Sequence, residues 1–252
     1  KDYWQAYDMS GTGETADFHR DYLTTELVSE YYFFRGEYYS EIRDKAKAGE
    51  LYDTAARVGK EIDIIQEMLG IVYQKNENID GSINIYLNAL KLNPHSAEAY
   101  NNLGAGYSRK GMIDKAMECY KTALELNPRL MSTYSNLAGI HFVKGEYQKA
   151  IEVYAKAASI DAREVDYIGL SMVYGKMGLK DKALESVKQE IMMNPKSNRG
   201  YYTLGNMLLE RRDLQGALEA YKRALEIEPN DDRVYNNIGV IYCNAGKWTE
   251  AE

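Results

Sequence analysis

An all-α solenoid of helical hairpins is what the sequence predicts, and three observations carry the prediction. The four prolines, Pro94, Pro128, Pro195 and Pro229, are separated by 34, 67 and 34 residues, and each closes a similar phrase such as Leu-Asn-Pro or Ile-Glu-Pro. A fixed period near 34 is the mark of stacked helix pairs. Between the prolines, glycine, alanine and tyrosine recur at matching places and at helical spacing. The composition, 45% hydrophobic with 23 tyrosines, supplies a continuous apolar seam without a central core, because each unit of a solenoid buries its faces against its neighbours alone.

The totals exclude several classes of function. A formal net charge of −7 leaves no basic stripe to replace counterions on phosphates, so no nucleic-acid partner is expected. No run of eighteen apolar residues exists, so no membrane insertion is expected within this segment. Cys119 and Cys243 lie in different repeats and define neither a disulfide framework nor a metal site. Both ends of the chain read as cut, which leaves room for a signal peptide or a membrane anchor outside this window.

Taken in order, residues 1–28 fit no repeat. The Ser-Gly-Thr-Gly run at 10–13 reads as a loop, and it lacks the lysine of a phosphate-binding loop. A helix is expected to begin near Glu14 to Asp17. Residues 29–62 carry the period in degraded form, with Gly36, Ala48, Tyr52 and Ala55 at the places that later copies give to Gly, Ala, Tyr and Ala. Their dense aromatics, Tyr31 to Phe34 with Tyr38 and Tyr39, either cap the array against residues 1–28 or form an exposed aromatic patch. Five complete units follow, at 63–96, 97–130, 131–163, 164–197 and 198–231, and a partial sixth at 232–252 completes the array over 63–252.

The unit 97–130 shows the logic. Tyr100, Leu103, Gly104 and Tyr107 form one face of a first helix, which Gly111 ends in a left-handed cap. Ala116, Met117, Tyr120, Ala123 and Leu124 line a second helix, and Pro128 closes the hairpin. Small residues at Gly70, Gly104, Ala138, Gly205 and Gly239 are expected where the two helices of a hairpin cross. Tyr86, Tyr120, Tyr154 and Tyr221 are expected to fill the space between neighbouring units. The middle of the chain departs from the pattern. The unit 131–163 has lost a residue and its proline, and 164–197 carries Lys180, Val187 and Glu190 at places its neighbours give to apolar residues, Tyr and Ala. An irregularity in pitch is expected near 161–190.

This order of residues, Tyr100, Leu103-Gly104, Tyr107, Ala116, Tyr120, Ala123 and Pro128, resembles the tetratricopeptide repeat family and recurs through 63–252, with weaker traces back to about residue 29. The resemblance implies a right-handed superhelix of antiparallel helix pairs whose first helices line a concave groove for peptide segments of other proteins. Family geometry places the second, fifth, sixth, ninth, twelfth and thirteenth residues of each unit on or near that groove. The residues expected to contact a partner are Asn102, Arg109, Ser135, Asn136, Phe142, Val143, Ile168, Met172, Tyr202, Asn206 and Asn237. Asn102, Asn136 and Asn237 share the sixth place and resemble an asparagine ladder that holds peptide backbones, broken here by Met68, Gly169 and Thr203. The centre of the groove, built from Phe142, Val143, Ile168 and Met172, reads as small and apolar.

No catalytic constellation is present: His19, His95 and His141 fall in different repeats, and no cofactor or metal is expected. The function expected is a protein-interaction scaffold. The alternative is the recognition tail of a larger enzyme, such as a membrane-anchored glycosyltransferase. Self-association through the partial repeat is also expected, because Tyr235, Ile238 and Tyr242 lack a full second-helix cover.

Overall fold

The computed structural model describes residues 22–244. The loop at 10–13, the helix from Glu14 to Asp17, His19 and any cap built from residues 1–21 lie outside the described residues. Among the described residues there are thirteen α-helices, one 3-10 turn and no strand. They are α1 (Tyr22–Glu41), α2 (Lys45–Val58), α3 (Asp63–Lys75), α4 (Ile79–Leu92), α5 (Ala97–Arg109), α6 (Ile113–Leu126) and α7 (Met131–Val143). The series continues with α8 (Tyr147–Ile160), α9 (Tyr167–Lys176), α10 (Lys180–Met193), α11 (Asn198–Glu210), α12 (Leu214–Ile227) and α13 (Asp232–Asn244). The chain divides into two compact units, Lys1–Thr133 and Tyr134–Glu252.

Within each unit the helices pack as consecutive hairpins. In the first, α1 lies on α2, α3 on α4 and α5 on α6; in the second, α9 lies on α10 and α11 on α12. The local reasons are legible. Ser96, Asp166 and Ser197 cap the first helices α5, α9 and α11, each side chain accepting a backbone N–H of the opening turn. Asp44, Asn78 and Asp213 do the same for the second helices α2, α4 and α12. Each hairpin turns through one residue in the left-handed region: Gly111, Gly145 and Gly178 at φ +74°, and Arg43, Glu77 and Arg212 at φ 65°, 62° and 64°. The glycine at the turn is therefore half of a rule, and the other half is strained non-glycine residues.

The tyrosines do something other than expected. Tyr120 lies over the helical Gly104 of its own hairpin, where an added Cβ would come within 2.6 Å of the ring. Gly70 meets Tyr86 and Gly36 meets Tyr52 in the same way, at 2.5 and 2.6 Å, and Gly205 meets Tyr221. The glycine thus makes room for a ring within one hairpin. Tyr86 also joins a buried cluster with Leu103 and Cys119 of the following hairpin, so the neighbour-to-neighbour role is shared. Gly239 stands at the same place in 232–252, and the residues that follow its helix, 245–252, lie outside the described residues.

Tyr154 behaves differently, because its hydroxyl reaches the space beside Gly169 of the next hairpin. There the lost residue shows its effect: Asp161 accepts the N–H of Arg163 at 2.9 Å and starts the 3-10 turn Ala162–Glu164. Helix α9 then begins late and has only 10 residues.

Candidate functional site

The first helices position the expected site residues, unit by unit. In Tyr134–Glu252, Phe142 is half-buried with its ring 5.8 Å from Tyr147 across the turn of its own hairpin. Val143 is 78% exposed and Met172 51%. Ile168, in contrast, is only 4% exposed. It belongs to the core, as do Phe33 and Asn101 at the same fifth place of their units, and it is corrected from groove wall to packing residue. Ser135 and Asn136 are half-buried on α7.

Toward the end of that unit the expected residues serve each other. The Tyr221 hydroxyl donates to Asn206 Oδ1 at 2.7 Å, and Asn237 Nδ2 donates to the same oxygen at 2.9 Å. Asn237 Nδ2 also lies 3.2 Å from the Tyr221 hydroxyl. Tyr202 stacks obliquely on Tyr221 with centroids 6.2 Å apart and holds the Arg233 guanidinium over its ring at 4.9 Å. Asn237, a member of the expected ladder, and Asn206 are here engaged in joining α11, α12 and α13. The break in the ladder at Gly169 has a cause as well, since an asparagine there would collide with the Tyr154 hydroxyl.

In Lys1–Thr133, Arg109 Nη1 donates to the Gln74 carbonyl at 3.0 Å, and Gln74 Nε2 donates to the Asn102 carbonyl at 2.9 Å. This pair of bonds ties α3 to α5 along the first-helix face. Ser96 Oγ donates to Glu67 Oε1 at 2.6 Å, and Asn93 Nδ2 to Asp63 Oδ2 at 2.9 Å. Burial pushes the Glu67 carboxyl above its ordinary range; the Ser96 bond opposes this, and the charges of Asp63 and Glu98 add to it. The Tyr86 hydroxyl nearby is buried without a hydrogen-bond partner. Sequence reasoning named Asn102 and Arg109 on this face but missed its apolar residues. Phe34, Ile64 and Ile71 stand exposed on α1 and α3 at the sixth, second and ninth places, and the same register rule would have found them.

No chemistry gathers around the remaining candidates. His141 Nδ1 lies 2.7 Å from Glu146 Oε2, a bond that holds the Glu146 carboxyl below its ordinary value. Burial pushes the Cys119 thiol up to about 11, so at neutral pH it is a protonated core residue. Among the described residues no group of His, Cys, Asp or Glu is arranged to hold a metal ion, and no helix is long and apolar enough to cross a membrane. The residues flanking Tyr235, Ile238 and Tyr242 on the C-terminal side, 245–252 with Trp248, lie outside the described residues.

Stacked helical hairpins with an exposed first-helix face define a repeat scaffold of the protein-interaction class. Comparison with known families makes the assignment specific. Tetratricopeptide repeat profiles match residues 97–130 and 132–164, and a further TPR repeat profile matches 70–111 and 194–250. Together these cover more than half of the sequence, and the chain belongs to the tetratricopeptide repeat family.

Among curated proteins, human "Protein O-mannosyl-transferase TMTC1" is 31% identical over 86 residues, which are 32% of this chain and 10% of that protein. The bovine (Bos taurus) "BBSome complex member BBS4" is 30% identical over 84 residues, 33% of this chain and 16% of that protein. The matched segment thus spans only a small part of either relative. Among solved structures, the thermophilic TPR protein TTC0263 of Thermus thermophilus superposes with a TM-score of 0.61 at 24% identity, covering 72% of this chain and 99% of that one. Pseudomonas aeruginosa pilF gives 0.63 at 19%, covering 75% and 86%. MamA gives 0.52 at 28%, covering 65% and 96%. The first two likenesses concern the fold alone.

Proposed function

We propose that this chain is a protein-interaction scaffold that binds peptide segments of partner proteins on the face formed by its first helices. One observation carries the reading. At the ninth place of three first helices a large apolar side chain is left exposed: Ile71 at 42%, Met172 at 51% and Val240 at 44%. A helix in a solenoid has no packing reason to keep such side chains in water at one repeated register. Covering them yields about 25 cal/mol per Å² before ordering costs. Val143 and the edge of Phe142 extend the apolar surface in the second unit, where Ser135 and Asn136 supply polar contacts, and Asn102 and Arg109 supply them in the first unit. In this reading the chain performs no chemistry of its own and needs no cofactor.

The test is selection of binding peptides from a random library, followed by titration of one selected peptide against the parent, Ile71→Ser and Met172→Ser. Loss of at least about tenfold in affinity with either substitution is expected, equivalent to about 1.4 kcal/mol. Selected peptides that ignore both substitutions overturn the reading.

A second reading is favoured by the segment of similarity to the O-mannosyl-transferase. On that reading the scaffold is the recognition portion of a larger, membrane-anchored glycosyltransferase. Sequencing the complete reading frame decides between them: a catalytic or membrane-spanning region joined to this chain supports the second, and its absence removes it.

A further inference from the structure

We propose that the first-helix face of the unit Lys1–Thr133 takes a cationic amphipathic segment of a partner protein, with the partner's apolar side chains on Phe34, Ile64 and Ile71 and its lysine or arginine side chains on Glu67 and Glu98. The inference rests on the interaction reading above and specifies the chemistry of the partner.

The argument begins with charge. At the second, fifth, sixth and ninth places of α1, α3 and α5 stand four carboxylates, Glu30, Glu37, Glu67 and Glu98, and no lysine or arginine; the thirteenth places add Glu41, Lys75 and Arg109, which leaves the face with an excess of carboxylates. The ion pairs of this unit among the described residues are Lys47–Glu50, Lys60–Glu61 and Lys110–Asp80, so none of the four is neutralised by a described cation. The same places on the first helices of Tyr134–Glu252 carry Arg199 and Arg233 and no carboxylate. Those two are answered internally, Arg199 near Asp166 at 3.7 Å and Arg233 on Asp231 at 2.7 Å. Among the described residues the first-helix face of the first unit therefore carries an excess of carboxylates that no described cation pairs, and its field is negative.

Apolar surface runs through that field. Phe34, Ile64 and Ile71 are exposed on α1 and α3, which touch one another, and α3 in turn touches α5. Glu67 is held at the centre by Ser96, the N-cap of α5, so its carboxylate has a fixed position with one oxygen left over. A second observation points to a donor arriving there. In two other hairpins the tyrosine over the helical glycine bonds to the ninth residue, Tyr52 to Glu37 at 2.5 Å and Tyr221 to Asn206 at 2.7 Å. In the 63–96 hairpin that residue is Ile71, and the Tyr86 hydroxyl is left without a partner, near enough for the Glu67 charge to act on it. A half-buried carboxylate beside an unused hydroxyl acceptor suits an ammonium or guanidinium, whose several N–H groups can serve both. Apolar anchors flanked by carboxylates then suit a segment with leucine-like side chains on one face and basic ones beside it.

The test titrates the full chain with a fluorescent leucine/lysine amphipathic peptide of about four helical turns, its leucine/glutamate counterpart, and a neutral peptide selected as above. The variants are Glu67→Gln with Glu98→Gln, Ile64→Ser with Ile71→Ser, Met172→Ser, and Glu118→Gln with Glu125→Gln on the exposed side of α6 as a charge control. All are exposed or half-exposed positions, and melting curves verify that each variant folds. The lysine peptide is expected to bind the parent and to weaken about tenfold or more with either pair on the first unit, while Met172→Ser and the α6 pair leave it unchanged. Equal binding of the glutamate peptide, failure of the lysine peptide to bind, or a response to the α6 pair equal to that of the Glu67 and Glu98 pair overturns the proposal. If the neutral peptide binds and is lost with Met172→Ser while the lysine peptide fails, this inference falls and the interaction reading stands. If no peptide binds, both fall.

Discussion

Gly104 and Gly139 are both helical glycines, yet alanine at the two should move stability in opposite directions. Alanine in a helix interior normally gains about 0.5–1 kcal/mol over glycine. An added Cβ at Gly139 meets nothing within 4 Å, so Gly139→Ala is expected to raise the melting temperature. At Gly104 the same atom comes within 2.6 Å of the Tyr120 ring, which is itself buried. Overpacking of this kind costs about 1–3 kcal/mol, so Gly104→Ala is expected to lower the melting temperature. Parallel thermal melts of the two variants check both signs at once. Glu67 offers a second test at this scale. Its folded-state pKa is raised, so the ionised form is disfavoured by folding, and the resulting cost is fully present above the raised value. The cost fades as pH falls through that value toward the ordinary carboxylate range. Glu67→Gln, whose amide oxygen still accepts from Ser96, is expected to melt higher than the parent at pH 7 and to lose that advantage near pH 4. An advantage that persists in acid would mean that something other than charge is responsible.

The hairpin is the element of this protein, and its turn is where sequence and geometry disagree most usefully. Six turns use one left-handed residue at the same register, but only Gly111, Gly145 and Gly178 reach it without strain. Arg43, Glu77 and Arg212 are expected to cost about 1–2 kcal/mol each relative to an unstrained conformation. Part of that is returned by the smaller entropy of a non-glycine chain when unfolded. Glu77→Gly is therefore expected to stabilise the first unit by about 0.5–1 kcal/mol, and urea midpoints measure it. A midpoint that falls would mean that the Glu77 side chain makes an interaction worth more than the strain. At the 164–197 hairpin, Ser171 and Val187 stand where the others have glycine or alanine and tyrosine. Without its own ring that hairpin accepts the Tyr154 hydroxyl from the preceding one, and Gly169 is the position that makes room for it.

At the scale of the molecule, stability and function divide along different lines. Each unit is held by nearest-neighbour packing, so damage should travel to adjacent hairpins and fade beyond them. Tyr120→Ala removes a buried ring and is expected to cost about 3–5 kcal/mol. Hydrogen exchange should show faster opening in α5 and α6 first and in α3 and α4 next. Protection lost in α5 and α6 with none in α3 and α4 would mean that the hairpins are not coupled as described. Charge is distributed more coarsely. The net −7 hides a first-helix face that is carboxylate-lined in one unit and arginine-bearing in the other. Binding of a cationic segment to the first should therefore weaken as salt rises, through screening over about a Debye length of 10 Å at 0.1 M.

The sequence by itself determined the fold class and the repeat period. Those depend on which residue types recur and at what spacing, and the prolines with the recurring glycines, alanines and tyrosines print that spacing directly. It also marked Met172 and Val143 as surface apolar residues, which the structure leaves exposed. Tertiary structure alone decided the direction of individual side chains. Ile168 turned inward into the core; Asn206 and Asn237 closed on Tyr221; and Tyr86 was left without a partner where Ile71 stands at the ninth place. None of these follows from register, because each depends on what a second or third helix brings within hydrogen-bonding distance. The carboxylate field of the first unit lies between the two cases. Every residue in it was readable, but only the packing of α1, α3 and α5 side by side shows Glu67 and Glu98 flanking one apolar surface without a described cation to answer them.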